Sequence, residues 1–230
     1  MGLRANNISK SFTRDAGTSP ELAAVQKTSI DLPFGTLVEV RGHSGSGKST
    51  LLNMMAGLLA PDTGAVDLDG QDIYTLDDKE LSRLRHERFG VIPQTASVLS
   101  SFTVLDNVML PLTFYGTDDA RERAMAALEV VGIGHLAAEH PNVLSGGEVR
   151  RVSIARALVN EPDIVFADEP TSNLDEENAR TVLGFLRKIA DKGAAVLLVT
   201  HDDIADAYAD ITYHMTGGVL GEPEFGVLEE

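Results

Sequence analysis

Apolar residues form two patterns in the second half of the chain, and together they predict a strand–helix–strand unit. The stretches "DIVFADE" (163–169) and "AAVLLVT" (194–200) are continuous apolar runs bounded by charged segments. Such runs are typical of strands buried on both faces of a parallel sheet. Between them, "ENARTVLGFLRKIADKG" is predicted to be a helix that ends at glycine. This alternation indicates an α/β fold.

The same alternation of strand and helix begins after residue 35, behind a β-rich N-terminal edge. A glycine-rich turn follows the first strand, and Ala60–Pro61 is predicted to stop the first helix. The predicted elements, starting and ending with a strand, are "TLVEV" (36–40), "TLLNMMAGLL" (50–59), "GAVDLDG" (64–70), "KELSRLRHER" (79–88) and "FGVIP" (89–93).

Between about residue 95 and residue 158 the pattern changes to consecutive helices. The segments "VLDNVMLPLTFYG" (104–116) and "DDARERAMAALEVVGI" (118–133) precede a helix that begins near residue 145. No low-complexity linker or internal repeat interrupts the chain. We therefore predict a single domain, 1–230, with a helical subdomain inserted at about 95–158.

Composition and charge exclude several classes of protein. With 43% hydrophobic and 23% charged residues, the 230-residue chain has the composition of an ordinary globular protein. The net charge of −16 argues against a nucleic-acid partner, because that affinity depends on lysine and arginine neutralising phosphates. The absence of cysteine excludes disulfides and thiolate metal sites and fits the cytosol.

No segment has the length that a membrane-spanning helix requires. The N-terminal "MGLRANNISKSF" contains no apolar core of signal-peptide length. The longest near-apolar runs, "LLNMMAGLLA" and "AAVLLV", fall well short of the roughly 20 residues needed to span a bilayer. We expect that the chain does not cross a membrane by itself.

A phosphate-binding motif follows the strand at 36–40. "GHSGSGKS" fits G-x-x-x-x-G-K-[ST] between a predicted strand and a predicted helix, as the motif requires. The glycines let backbone amides wrap a β-phosphate, Lys48 neutralises phosphate oxygens, and Ser49 binds Mg²⁺. The alternative is a glycine-rich turn with an exposed lysine. The predicted ATP contacts here are Gly42, Ser44, Gly45, Ser46, Gly47, Lys48, Ser49 and Thr50.

Two adjacent carboxylates end the strand "IVFADE". Asp168 is placed to hold Mg²⁺ through water. Glu169 lies at the carboxyl edge of the sheet, where ligands of open α/β folds bind, and can activate a water for attack on a γ-phosphate. Alone, this pair would be read as a strand-end turn; beside the phosphate-binding loop it predicts the second half of a nucleotide site.

The stretch "LSGGE" starts a helix with two glycines, which are poor helix formers. Ser145 and Glu148 have the spacing of a capping box, which explains them but leaves Gly146 and Gly147 without a purpose. Glycines at a helix N-terminus also let an anion approach bare amides. On this stretch alone, the plain cap and the anion site stay open.

Together, "LSGGE", the phosphate loop and "FADEPTSNLD" resemble the ATP-binding cassette (ABC) ATPases over essentially the whole chain. The resemblance implies a P-loop NTPase (RecA-like) fold: a parallel-sheet core, an N-terminal antiparallel β subdomain and an inserted α-helical subdomain. It also implies ATP-dependent, head-to-tail homodimers. In these dimers Ser145, Gly146, Gly147 and Glu148 of one subunit close on the γ-phosphate of ATP held by the other.

The resemblance assigns four further positions. Gln94 matches the glutamine loop that ligates Mg²⁺ and senses the membrane partner. Asp175 matches the aspartate loop between the two sites, and it also has the position of a helix cap. His201 matches the switch histidine that contacts the γ-phosphate. Phe12 matches the aromatic residue that stacks on adenine, with ordinary strand packing as the alternative.

Several positions depart from the commoner family pattern, but none removes a catalytic group. Phe12 stands where tyrosine is usual, Pro93 replaces phenylalanine before the glutamine loop, and Ser172 replaces a common glycine. Glu148 replaces glutamine, so a second carboxylate near phosphate would weaken ATP binding unless Arg150 or Arg151 offsets it. With Lys48, Glu169 and His201 as the catalytic residues, we predict an active ATPase.

"RLRHERFGVIPQ", "FTVLDNVMLPLTFYG" and "ARALVNEPDIVFADEPTSNLD" resemble the branch that contains MacB, LolD and FtsE. This implies an ATPase subunit on the cytoplasmic membrane face that drives a separate permease of few transmembrane helices. Export or extrusion of a peptide, lipoprotein or hydrophobic compound is expected. The alternative is an FtsE-like ATPase that signals without transport. A soluble ABC ATPase acting on DNA or ribosomes is disfavoured by the acidic balance and the single cassette.

Overall fold

A computed structural model describes residues 2–13, 22–114, 116 and 118–226. The strands are β1 (Gly2–Phe12), β2 (Leu22–Pro33), β3 (Leu37–Arg41), β4 (Thr63–Leu68), β5 (Gln71–Asp72), β6 (Phe89–Ile92), β7 (Ile164–Asp168), β8 (Ala195–Thr200), β9 (Ile211–Thr216), β10 (Val219–Leu220) and β11 (Glu224–Phe225). The α-helices are α1 (Lys48–Met55), α2 (Asp78–Arg88), α3 (Val104–Thr113), α4 (Ala120–Val130), α5 (Gly146–Leu158) and α6 (Glu176–Asp191).

The described strands form two sheets. The N-terminal sheet is antiparallel with the order β2-β1-β4-β5. The larger sheet has the order β10-β9-β3-β8-β7-β6, and its strands from β9 to β6 are parallel. The predicted strand–helix–strand unit is confirmed, because β7 and β8 are parallel neighbours joined by α6.

The continuous apolar runs are buried on both faces, as predicted. In β8, Leu197 and Val199 pack into a cluster with the antiparallel sheet and α1, whereas Val196 and Leu198 pack into a second cluster with α3 to α6. A strand that faces two cores cannot alternate apolar and polar residues. Its run of apolar residues is the consequence.

Helices α3, α4 and α5 pack against one another in the region predicted to be a helical insert. Side chains from all three, such as Val108, Leu128 and Val152, share the second apolar cluster. The predicted fold class, a P-loop NTPase core with an antiparallel edge and inserted helices, is confirmed. The division into one domain with a subdomain at about 95–158 stays a prediction.

Several predicted elements need correction. Helix α1 ends at Met55 rather than at residue 59, because Gly57 adopts a left-handed conformation (φ +67°). Strands β5 and β9 to β11 have no counterpart among the predicted elements. Helix α2 confirms the element predicted at 79–88; none of its residues is fully buried, and Leu81 and Leu84 pack partly against the core. Among the described residues, no helix is both long and apolar enough to cross a membrane.

Glu39 is a fully buried carboxyl on the central strand β3. Its Oε2 accepts a hydrogen bond from the Thr212 hydroxyl at 3.2 Å, whereas Oε1 has no partner among the described residues. Burial, followed by the nearby Asp206 carboxylate, raises the pKa of Glu39 to about 8, although Arg41 opposes the shift. The Glu39 carboxyl group is therefore mainly protonated at pH 7.

This proton predicts a pH-dependent stability. Because the pKa of Glu39 is higher in the folded chain than in the unfolded chain, its contribution is present below about pH 4.5 and is lost as the pH rises to about 8. Glu39→Gln removes this loss, on the order of 3 kcal/mol across the interval. Urea unfolding of both proteins at pH 5 and pH 8 measures it; equal pH slopes for wild type and variant would contradict it.

Candidate functional site

The phosphate-binding loop joins β3 to α1, and two of its glycines have left-handed backbone conformations. Gly47 has φ +107°, and a β-carbon there would lie 2.2 Å from the carbonyl oxygen of Ala24. Gly45 has φ +79°, and an added β-carbon would meet nothing within 4 Å. One glycine thus permits close packing, and the other leaves open space where a ligand can approach the backbone.

Lys48 begins α1 and points back into the loop. Its buried ammonium donates hydrogen bonds to the carbonyl oxygens of Gly42 (2.7 Å) and His43 (3.2 Å). It also lies 3.5 Å from Glu169 Oε1. Beside it, the Ser46 hydroxyl is buried without a hydrogen-bond partner in the part of the chain that the structure describes. A buried unpaired hydroxyl in this loop is the kind of group that a phosphate would satisfy.

Asp168 ends β7 beside the loop. Its Oδ1 accepts a hydrogen bond from the Ser49 hydroxyl at 3.0 Å. Burial raises the pKa of Asp168 above its usual value, while the hydrogen bond from Ser49 opposes the shift. A hydroxyl paired with a carboxylate fits Mg²⁺, which takes oxygen ligands from one or two protein groups, phosphates and water.

Glu169 follows Asp168 with a left-handed backbone (φ +45°), which is uncommon for a residue other than glycine. Its side chain is buried, and its Oε2 lies 2.8 Å from Nδ1 of His201. The same oxygen accepts a longer hydrogen bond from the Thr200 hydroxyl at 3.3 Å. The carboxylate therefore lies between the lysine of the loop and the histidine after β8.

The Glu169 backbone is held by Arg150, one of the two arginines that the sequence offers to offset Glu148. Arg150 points into the protein and donates to the carbonyl oxygens of Pro93, Glu169 and Pro170, so it does not offset Glu148. Burial lowers the pKa of its guanidinium, while Asp168 opposes the shift. Its neighbour Arg151 binds Asn178 Oδ1 at 2.9 Å.

A cavity of about 300 Å³ brings eight of the predicted site residues together. The predicted residues that line it are Ser44, Gly45, Gly47, Lys48, Ser49, Thr50, Gln94 and Glu169. Four lining residues were missed, Ala23, Ala24, Gly217 and Gly218. The double glycine was the available signal, since Gly218 has φ +80° and donates to the Ser46 carbonyl oxygen at 2.9 Å.

Other predicted residues lie outside this cavity. Phe12 is 45% exposed at the end of β1, opposite Leu22 and beside the lining residues of β2. His201 reaches the site only through Glu169. The residues 145–148 and Asp175 do not line the cavity.

Both helix caps that the sequence predicts are present. Ser145 and Glu148 form a capping box at α5, with the Ser145 amide and hydroxyl each 2.7 Å from Glu148 Oε2. These hydrogen bonds lower the pKa of Glu148. Asp175 caps α6 by accepting from the Asn178 amide at 2.8 Å, and this contact lowers the pKa of Asp175.

Comparisons with known proteins agree with this geometry. The family described as ABC transporter matches residues 25–172. The lipoprotein-releasing system ATP-binding protein LolD of Pseudomonas syringae pv. tomato is 40% identical over 223 residues, covering 96% of this chain and 97% of that protein. The chain belongs to the ABC transporter family. Its resemblance to the branch with LolD and MacB is likewise confirmed.

Other relatives define the relationship further. The macrolide export ATP-binding/permease protein MacB of Chlorobaculum tepidum is 38% identical over 93% of this ABC ATPase, which spans only 33% of that protein. The dimeric structure of a bacterial ABC transporter cassette matches with a TM-score of 0.89 and 31% identity, covering 99% of both chains. A post-hydrolysis dimer of the same cassette, bound to ADP and Pi, matches with a TM-score of 0.88 and 32% identity over 99% of both chains. The chain is an ATP-binding hydrolase, as its sequence predicts.

Proposed function

We propose that this ABC ATPase is the subunit that couples ATP binding, head-to-tail dimer closure and hydrolysis to a separate membrane permease. The proposal rests on the observation that the motifs of one nucleotide site lie in two separate places on the chain's surface. Lys48, Ser49 and Glu169 surround one cavity, whereas Ser145 and Gly146 are exposed outside it. A second copy would bring the exposed glycine end of α5 to that cavity.

In this proposal the residues of the cavity have separate roles. Lys48 and the loop amides bind the β- and γ-phosphates, and Gln94 contacts the nucleotide. Ser49, Gln94 and Asp168 would hold Mg²⁺, which would neutralise charge on the phosphates. Glu169 accepts a proton as the water oxygen bonds to the γ-phosphorus and the bond to the bridging oxygen breaks, which yields ADP and phosphate. His201 orients Glu169 and reaches the γ-phosphate.

The remaining predicted contacts belong to the adenine and to the dimer. Phe12 stacks on the adenine from the end of β1. Ser145, Gly146, Gly147 and the backbone amide of Glu148 contact the γ-phosphate held by the other subunit, where the N-terminus of α5 favours an anion. Asp175 lies between the two sites. The dimeric cassette of similar fold supports this arrangement.

An integral membrane permease is the proposed partner, with the ATPase on the cytoplasmic face. Similarity to LolD along nearly its whole length favours lipoproteins as the transported substrate, within the broader class of peptides and hydrophobic compounds. The similarity to MacB, a macrolide export protein, adds macrolides to that class.

The turn that follows Gln94 carries two exposed apolar side chains, Leu99 (46% exposed) and Phe102 (38% exposed). The buried Asn107 amide fixes this turn through the backbone of residues 99, 102 and 103. We assign this turn to the permease contact.

The first prediction separates binding from hydrolysis. Lys48→Ala should abolish Mg²⁺-dependent ATPase activity, because it removes the cation that binds the phosphates and the ammonium beside Glu169 Oε1. Glu169→Gln should lower kcat by about 100-fold or more while retaining ATP binding, since it removes only the proton acceptor. Phosphate release, nucleotide binding and sedimentation with ATP measure these effects; a Glu169→Gln protein that hydrolyses at the wild-type rate would refute this assignment.

The second prediction concerns the helix-starting glycine Gly146, where an added β-carbon meets nothing within 4 Å. Gly146→Ala should leave the fold intact or stabilise it by up to about 1 kcal/mol. It should lower kcat by roughly 10- to 100-fold, because the methyl group keeps the partner's phosphate from the amides. Gly184→Ala in α6, equally open, is the control that should keep full activity. Thermal unfolding and ATPase rates decide, and equal rates for both variants would exclude the glycine contact.

The third prediction concerns the membrane partner. Affinity purification from detergent-solubilised native membranes should recover a protein with few transmembrane helices and a large outer domain. The double variant Leu99→Asp/Phe102→Asp should no longer recover the membrane protein, although its ATPase rate should be unchanged. Phe225→Asp, at another exposed aromatic residue, is the control and should still recover the membrane protein. Recovery of a many-helix permease would contradict the LolD-like assignment, and recovery of only soluble partners would contradict the coupling itself.

A further inference from the structure

The side chain of Arg150 is buried, and each of its three guanidinium nitrogens donates a hydrogen bond to a backbone carbonyl oxygen. Only 3% of the residue is exposed. Its Nε donates to the Pro170 oxygen at 2.7 Å, Nη2 to the Glu169 oxygen at 2.6 Å, and Nη1 to the Pro93 oxygen at 2.6 Å. Three directed bonds to main chain are the contacts of a group that fixes backbone geometry.

Two of these acceptors are the carbonyl oxygen of Glu169 itself and that of the next residue, Pro170. On the preceding side, the Glu169 amide donates to the Val199 carbonyl oxygen at 2.8 Å. The left-handed backbone of Glu169 is therefore anchored at both ends, to β8 through its amide and to α5 through its carbonyl. An uncommon backbone conformation persists when its surroundings determine it in this way.

The side chain of Glu169 depends on this backbone. Its two carboxylate oxygens make separate contacts, Oε1 with Lys48 at 3.5 Å and Oε2 with His201 at 2.8 Å. A rotation about the Glu169 backbone would move both oxygens away from these partners and from the Thr200 hydroxyl, which donates to Oε2 at 3.3 Å. Misplacement of a catalytic group by about 1 Å can cost roughly 100-fold in rate.

We propose that Arg150 is a positioning residue for hydrolysis, which holds Glu169 in its left-handed conformation and ties it to the helix that begins with the signature glycines. The third hydrogen bond of the same guanidinium goes to the carbonyl oxygen of Pro93, the residue before Gln94. The inference rests on the proposed role of Glu169 as the proton acceptor.

The test replaces the guanidinium and measures hydrolysis separately from binding. Arg150→Gln should lower kcat roughly 10- to 100-fold while the KM for ATP stays within about threefold, because Lys48 and the phosphate-binding loop keep their own contacts. Arg150→Lys keeps the charge but cannot reach three acceptors in a plane, so its kcat should fall between those of wild type and Arg150→Gln. If Arg150→Gln does not fold, Arg150→Lys carries the measurement.

Arg85→Gln is the matched control for loss of a partly buried arginine. Arg85 on α2 donates to the Gly57 carbonyl oxygen at 2.6 Å, away from the cavity. This variant should lose thermal stability as the Arg150 variants do, yet keep the wild-type kcat. A parallel loss of kcat in Arg85→Gln would mean that Arg150 acts only through overall stability.

The Glu169→Gln background distinguishes the two proposals. If Arg150 acts through Glu169, adding Arg150→Gln to Glu169→Gln should leave the residual rate unchanged, whereas an independent arginine would lower it by the full factor. A wild-type kcat in both Arg150→Gln and Arg150→Lys would overturn the inference while leaving Glu169 in place. A fully active Glu169→Gln protein would overturn the role of Glu169 itself.

Discussion

Charges buried at the carboxyl edge of the parallel sheet must remain paired, and the arrangement of the site follows from that constraint. Lys48, Arg150 and Glu169 are buried, and Asp168 is half-buried beside them. Removing one partner from a buried ion pair typically costs about 3–5 kcal/mol, because the other charge is left uncompensated. Lys48 faces the Glu169 carboxylate at 3.5 Å, whereas the guanidinium of Arg150 is satisfied by three backbone carbonyl oxygens, so both buried cations are compensated within the fold.

The fold meets this constraint by bringing separate chain segments to one edge. Parallel strands β3, β8 and β7 are neighbours, so the segments that follow them emerge on the same side of the sheet. The loop after β3 supplies Lys48, the end of β7 supplies the carboxylates, and His201 follows β8. Helix α5 adds Arg150 from the helical region. The site therefore exists only when both parts of the fold are packed together.

Sequence patterns predicted the parts of this arrangement that local chemistry determines. The apolar runs of β7 and β8 and the phosphate-binding motif were recognisable because burial on two faces and phosphate contact each demand specific residue types. The end of α1 was misplaced because a left-handed Gly57 terminates it, and a glycine within an apolar run does not reveal its φ angle. The short strands β10 and β11 were missed because their two-residue pairings carry no period.

Arg150 shows where a signal existed but was not decisive. Each of the adjacent arginines lies three and four residues before buried positions, Ser153 and Ile154 for Arg150 and Ile154 and Ala155 for Arg151. The spacing therefore places both near the inward face of α5, but it does not show that Arg150 is the buried one and that Arg151 reaches Asn178. The carbonyls that accept from Arg150 belong to other segments, so only tertiary structure could identify them.

At the start of α5, helix capping and anion binding use overlapping groups. Without a ligand, Ser145 and Glu148 satisfy each other's backbone amides, and the helix end is stable. A phosphate at Ser145 must displace the Glu148 carboxylate from the serine hydroxyl, while the first-turn amides of the glycines need no such exchange. The lowered pKa keeps Glu148 charged, with Arg151 rather than Arg150 lowering it further through its charge. In the proposed dimer this carboxylate would disfavour free anions, so that only a phosphate positioned by the second subunit would compete for the helix end.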